Sequence, residues 1–146
     1  MAISQAMCTS FKKELLEGKH DFNSAGHTFK LALYSAAATL SAGTTNFTTS
    51  GEVVGAGYSS GGIELTKVDP TADGTIGITN FATAIFTAVS ITARGGLIYN
   101  ATTDGTAGTT NAVAVLDFSA DQTAVAGNFS VSFPTADGTS AILRVE

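Results

Sequence analysis

The second half of the chain, residues 87–145, alternates apolar and small polar side chains in short runs separated by Gly, Asp, Asn and Thr. Because successive side chains of a strand point to opposite faces of a sheet, this period of two predicts strands with one buried face. We predict strands at 90–92, 97–99, 113–118, 129–133 and 141–145. The pattern favours a mainly β fold, an antiparallel and jelly-roll-like β-sandwich.

The first 35 residues predict one short N-terminal helix and one strand. Three apolar side chains recur at intervals of four residues: Met7, Phe11 and Leu15. This spacing predicts a helix over 5–17, with Ser4 as its N-cap and Gly18 as a left-handed stop. We expect the apolar stripe to pack on the chain's own sheet, and a groove of a neighbouring subunit is the alternative. The alternating segment 28–35 predicts the first strand.

The segment 36–62 has no periodicity and consists mostly of Ala, Gly, Ser and Thr. A stretch of this length predicts a long arm or loop, ordered mainly by contacts and able to reach a neighbouring subunit. Its apolar anchors are Leu40, Phe47, Val53, Val54 and Tyr58. Residues 63–146 are predicted to supply the rest of the β core of a single domain, 1–146, beginning with a strand at 63–68. The glycine pair 95–96 predicts a bulge, a sharp bend or a tight hairpin.

A hexapeptide, Pro-Thr-Ala-Asp-Gly-Thr, occurs at 70–75 and again at 134–139, and its fragment Asp-Gly-Thr recurs at 104–106. Asp-Gly suits a turn, since Gly tolerates positive φ and Asp bonds nearby backbone. We therefore predict plain turns, with another at 69–70. A calcium site built on Asp73 and Asp137 would need several more carboxylates than these loops contain.

Length, charge and composition restrict the classes of partner. A chain of 146 residues is one domain's worth, and its net charge of −5 argues against nucleic-acid binding. Only 13% of its residues are charged, which favours burial of its surface against copies of itself or a partner. We expect a homo-oligomer, with a trimer as one possible form. No membrane span or secretory signal is predicted.

Few residues are candidates for chemistry. The single cysteine, Cys8, is predicted to be an unremarkable thiol within the helix. His20, Asp21 and His27 form the only cluster that resembles a site, but their spacing fits no usual metal motif, and we expect surface histidines with a structural role. We predict no enzyme, no metal and no cofactor. Arg94, one of two arginines, is expected to contact a carboxylate within the fold, or across an interface.

Five strings of residues carry a family resemblance. They are Phe-Lys-Leu-Ala-Leu-Tyr-Ser-Ala (29–36), Glu-Val-Val-Gly-Ala-Gly-Tyr-Ser-Ser-Gly-Gly (52–62), Ala-Arg-Gly-Gly-Leu-Ile-Tyr-Asn (93–100), Ala-Val-Ala-Val-Leu-Asp-Phe (112–118) and Phe-Ser-Val-Ser-Phe-Pro-Thr-Ala-Asp (129–137). Together they resemble small virion proteins of tailed bacteriophages. The resemblance implies a copy-rich part of the phage particle, made in the host cytoplasm and located in the virion.

Two functions are consistent with that resemblance. The first is a non-enzymatic decoration, or cement, protein that binds the lattice of the major capsid protein and stabilises the head. The second is a tail, tail-fibre or adhesin component that contacts the host surface through exposed aromatic rings of Tyr34, Tyr58 and Tyr99. For the decoration protein, we expect an interface that includes Met7, Phe11, Leu15, Leu40, Phe47, Tyr58 and Arg94.

Overall fold

A computed structural model of the chain describes residues 2–102 and 110–145. Over these residues the protein has eight strands and one short helix, and every strand pairing is antiparallel. The predicted fold class, a mainly β protein with a short N-terminal helix, is confirmed. The predicted Asp-Gly-Thr turn at 104–106 lies outside the described residues.

The strands form two sheets. The larger has the order β1 (Ala6–Met7), β7 (Asn111–Val131), β6 (Ala84–Asn100), β2 (Phe29–Tyr34) and β3 (Ile63–Glu64). The smaller has the order β4 (Lys67–Asp73), β5 (Ile76–Phe81) and β8 (Leu143–Val145). The two sheets meet where Phe29 of β2 packs on Phe81 of β5, with ring centroids 6.1 Å apart. This arrangement is sandwich-like, with aromatic side chains filling the space between the layers.

A long, bent hairpin of β6 and β7 is the centre of the larger sheet. The predicted strands at 90–92 and 97–99 are parts of β6, and 113–118 and most of 129–133 belong to β7. The two strands stay continuous because bulges absorb mismatches in their pairing. One register shift lies between Ala93 and Gly95, which confirms the bulge predicted at the glycine pair.

Helix α1 spans Thr9–Leu16, so it begins later than the predicted 5–17. Ala6 and Met7 pair with β7 instead, and the Cys8 backbone N–H donates to the carbonyl of Val113. These sheet hydrogen bonds hold the backbone extended up to Cys8, the N-cap residue, and they prevent Ser4 from capping the helix. Gly18 has the left-handed φ of +72° expected of the stop. No helix of the described ranges is long and apolar enough to cross a membrane.

The predicted strand at 63–68 is divided between the two sheets. Ile63–Glu64 forms β3 and pairs with β2, whereas Lys67 begins β4 in the smaller sheet. The predicted turn at 69–70 is corrected too, because Asp69 and Pro70 lie inside β4, at an irregularity in its pairing with β5. An edge strand tolerates proline at such a point, since its missing N–H interrupts no ladder.

The segment 36–62 lies along this chain's own sheet and is not extended away from it. The Leu40 backbone bonds to Ala2 and Ser4, and Val53 N–H donates to the carbonyl of Leu33. Further along, the carbonyl of Ala56 accepts from the N–H of Ser90 in β6. Such backbone bonds hold the segment to the domain, so these residues form a loop ordered by its contacts, the second of the two predicted forms.

Candidate functional site

The predicted cluster of His20, Asp21 and His27 is gathered around Asn100, the last residue of β6. The Glu14 carboxylate lies 2.7 Å from Nε2 of His20, and Nδ1 of the same ring lies 3.0 Å from Nδ2 of Asn100. The Asn100 amide nitrogen is also 3.0 Å from Nδ1 of His27. A chain of four polar side chains therefore links α1, the 19–28 connection and β6. We call it the Asn100 network.

His20 is buried, which corrects its predicted position at the surface. Its imidazole is closed in by three aromatic rings, and the nearest, Phe11, has its centroid 4.8 Å away. Burial lowers the pKa of His20 below its ordinary value, although the Glu14 carboxylate acts in the opposite direction. Both ring nitrogens of His20 have partners within the protein, so this imidazole is not placed to accept a proton from a substrate.

Asp21 supports the connection and does not join the histidines in a catalytic arrangement. Its carboxylate accepts from the backbone and side-chain nitrogens of Asn23, and its own N–H donates to Nδ1 of His27. Its carbonyl accepts from the His27 backbone. These bonds close a compact loop from 21 to 27. Among the described residues, no group of three or more His, Cys, Asp or Glu has a geometry that could hold a metal ion.

Cys8 lies immediately before α1 and is fully buried. Burial, and secondly the charge of Glu14, raise the pKa of its thiol to about 11. A catalytic cysteine needs a depressed pKa, because the thiolate is the nucleophile. The geometry therefore agrees with an unreactive thiol that fills space in the core.

The apolar stripe of the predicted helix faces the chain's own core. Phe11 is only 1% exposed, whereas Met7 lies in β1 and is half-buried, as is Leu15. Together with Ile78 and Leu143 of the smaller sheet they line a groove of about 330 Å³. Phe11 is therefore not accessible to a neighbouring subunit, whereas the groove beside it is open to solvent.

The remaining predicted interface residues also contact their own chain. Leu40 is 1% exposed and belongs to the core. Phe47 stacks on Tyr99 at 4.8 Å between ring centroids. Arg94 Nε lies 3.4 Å from a carboxylate oxygen of Asp117, the contact within the fold that its sequence position predicts. Leu40 is therefore closed to a partner, whereas Phe47 and Arg94 are half-buried and keep part of their surface exposed.

The hydroxyl groups of the three tyrosines hold the 48–62 segment to the larger sheet. The Tyr58 hydroxyl accepts from the Leu33 N–H at 3.0 Å and donates to Glu52 at 2.8 Å. The Tyr99 hydroxyl donates to the carbonyl of Gly61 at 2.6 Å, and burial raises its pKa to about 12. Tyr34 and Tyr99 are buried and Tyr58 is half-buried. They do not form the exposed aromatic platform expected for sugar binding.

An exposed apolar surface that the sequence did not single out lies beside this segment. Val54 is 96% exposed and Val125 of β7 is 78% exposed. Both line a shallow depression of about 540 Å³, whose floor comes from 90–92 and 123–124. Thr92 and Thr123 face each other across the strands, their hydroxyls 2.9 Å apart. We call this surface the valine face.

The valine face presents almost no charge. The only ionisable side chain that lines it is Glu52. That carboxylate accepts hydrogen bonds from Tyr58, from the Ser60 hydroxyl and from the Gly61 N–H, so its charge is directed into the 52–61 loop. The two consecutive valines 53–54 are visible in the sequence, but only the fold shows that Val54 lies next to Val125.

Comparisons with known proteins give no relative for this chain. No family model matches it, and neither does any curated protein or solved structure.

Proposed function

We propose that this protein is a non-enzymatic structural component of a tailed-bacteriophage particle. In this role it binds the lattice of the major capsid protein and neighbouring copies of itself, and so stabilises the head. The resemblance of its sequence strings to small virion proteins suggests the particle. The observation that carries the binding role is the valine face.

The valine face suits protein assembly because it combines exposed apolar area with little charge. Scattered apolar side chains are ordinary on a protein surface, but Val54 and Val125, both largely exposed, lie on one depression and form a patch. Burying a valine contributes about 1.5–3 kcal/mol, and no unpaired charge has to be desolvated with it. On a lattice, many weak contacts of this kind act together and give tight attachment.

The head is preferred to the tail because the aromatic residues that would favour sugar binding are engaged inside the fold. Sugar recognition relies on exposed aromatic faces. Tyr34 and Tyr99 are buried in this chain, and their hydroxyls donate to backbone carbonyls. A tail or adhesin role remains the second candidate only through the shared family resemblance.

Co-sedimentation with capsid shells that lack this protein tests the proposal. We expect stoichiometric binding and shells that resist heating to a higher temperature. Light scattering on the free protein gives its oligomeric state, and an oligomer larger than a monomer agrees with self-association. If the folded protein at micromolar concentration does not sediment with the shells, the decoration role is contradicted.

Two variants locate the binding surface. Val54→Asp and Val125→Asp each place a charge on the valine face, and we expect either to weaken shell binding by at least about tenfold. Leu16→Asp is the matched control, because it introduces the same charge at an apolar residue that is 91% exposed on α1 and lies outside the face. Equal weakening by all three variants, or none by the two valine variants, would argue against this surface.

A further inference from the structure

We propose that the Asn100 network is an acid-sensitive lock. With His20 neutral, the network ties α1 and the 19–28 connection to the end of β6, and a second proton on the His20 ring breaks it. This inference does not depend on the proposed function. It concerns a conformational device within the fold.

The direction of each hydrogen bond follows from one backbone donor. The N–H of Thr102 lies 3.0 Å from Oδ1 of Asn100, and because a backbone N–H only donates, that side-chain atom must be the oxygen. The other end of the amide is therefore the NH₂ group. It has two hydrogens, and it faces Nδ1 of His20 and Nδ1 of His27 at 3.0 Å each. Both imidazole nitrogens must accept.

The tautomer of His20 follows in turn. With a lone pair on Nδ1, the neutral ring has its proton on Nε2, where it is donated to Glu14 at 2.7 Å. A second proton would have to sit on Nδ1, with its hydrogen directed at the NH₂ hydrogens of Asn100. Protonation thus replaces a hydrogen bond by a contact between two donors in a buried place.

The charged groups around His20 act in opposing directions. Glu14 on α1 favours the imidazolium, whereas His27 and Lys19, both on the connection, oppose it. From the smaller sheet, the Lys67 ammonium of β4 donates to the carbonyl of His27 and lies 6.0 Å from the centre of the Phe29 ring. Because the His20 imidazole also lies among buried aromatic rings, the net effect of its surroundings is to disfavour its charged form.

The sign of the pH effect follows from a histidine whose pKa is lower in the folded state. As pH falls through the ordinary histidine value of about 6.5, the unfolded chain takes up the proton first. The contribution of His20 to the free energy of unfolding is therefore complete above that pH and declines below it. For one proton, the unfolding equilibrium constant increases by at most about tenfold per pH unit.

Urea unfolding at several pH values between 7.5 and 5.5 tests the lock. The chain has only two histidines, so few other groups titrate in this range. We expect the wild-type unfolding equilibrium constant to increase as pH falls, and His20→Gln to remove most of this increase. His27→Gln keeps His20 and Glu14, so the increase should persist but be smaller, because His27 is one of the groups that oppose a charge on His20. Lys12→Gln, at an exposed position of α1 outside the network, is the control and should behave like the wild type.

Asn100→Asp gives the sharper result. This change replaces the NH₂ donor by a carboxylate oxygen of the same shape, which would favour a proton on Nδ1 of His20. We expect the pH dependence to reverse, with the variant gaining stability as pH falls from 7.5 to 5.5. The same pH dependence in this variant as in the wild type would overturn the lock.

A measurement on the wild-type protein covers the case in which a variant fails to fold. The ring nitrogen shifts of His20, followed by NMR over the same pH range, report its tautomer and its titration directly. We expect the proton on Nε2 at pH 7.5 and a midpoint below that of the urea-unfolded chain. A proton on Nδ1, or a midpoint above the unfolded value, would overturn the inference.

Discussion

The carboxylate of Asp73 accepts a hydrogen bond of 2.7 Å from the backbone N–H of Gly138, 65 residues further along the chain. Each residue belongs to one copy of the repeated hexapeptide, so the two copies meet in space. In the second copy, Asp137 instead closes its own turn by accepting from the N–H groups of Thr139 and Ser140, which hold the pKa of its carboxyl low. The aspartate of the repeated hexapeptide thus has two roles. In the second copy it closes its own turn, and in the first copy it bonds to the backbone of the other copy.

Replacing Asp73 tests that tie. Asp73→Ala removes the acceptor of the Gly138 N–H, and we expect the free energy of unfolding to fall by about 1 kcal/mol, the usual net value of such a bond. Urea unfolding at pH 7 measures the loss. Asp121→Ala, at an exposed aspartate of β7, should stay within about 0.5 kcal/mol of the wild type. If the two variants lose the same amount, the tie does not stabilise the fold.

Replacement by alanine should destabilise the protein to very different extents at two glycines that have similar φ angles. Gly62 has a φ of +76° and a Cβ there would stand 1.8 Å from the Leu31 carbonyl oxygen, while Gly18, at +72°, has nothing within 4 Å. Gly18→Ala pays only the left-handed strain of about 1–2 kcal/mol. Gly62→Ala must also move backbone, so we expect a further loss of at least about 2 kcal/mol. Thermal or urea unfolding compares the pair, and equal losses would show that the loop yields freely at Gly62.

The sequence predicts those parts of this fold that local pattern determines. The alternation in 28–35 predicts β2, which spans Phe29–Tyr34, and the left-handed stop at Gly18 follows from residue type. Pairings between distant residues decide the rest. Met7 has helical spacing with Phe11, yet Ala6 and Met7 are extended because they pair with β7, about a hundred residues away.

The histidine cluster shows the same limit. Its three members are near in sequence and were recognisable as a group, but the partner of His20 Nδ1 is Asn100, 80 residues away. The valine face likewise depends on a register in β7 that brings Val125 next to the 52–54 segment. Neither could be deduced from local pattern, because long-range strand pairing creates both.

Removal of a single hydroxyl group should destabilise the protein more at Tyr58, whose hydroxyl both accepts and donates, than at Tyr99, whose hydroxyl only donates. Tyr58→Phe leaves the N–H of Leu33 without its side-chain acceptor and removes one of the three donors to the Glu52 carboxylate, so we expect a loss of about 1–3 kcal/mol in the free energy of unfolding. Tyr99→Phe removes one donor to the Gly61 carbonyl and should cost about 1 kcal/mol. Urea unfolding of both variants measures the difference. A smaller loss for Tyr58→Phe than for Tyr99→Phe would contradict the central position of the Tyr58 hydroxyl.

Cys8 provides a chemical probe of folding. Its pKa is raised from 9.0 to about 11, mainly by burial, so the folded chain at pH 8 has about a hundredfold less thiolate than the unfolded chain. Full burial slows access of the reagent further. We expect alkylation by iodoacetamide, followed by mass spectrometry, to be more than about a hundredfold faster in 8 M urea than in buffer. Comparable rates in both solutions would mean that the chain before α1 opens readily, and that the backbone bond from Cys8 to Val113 does not hold it against β7.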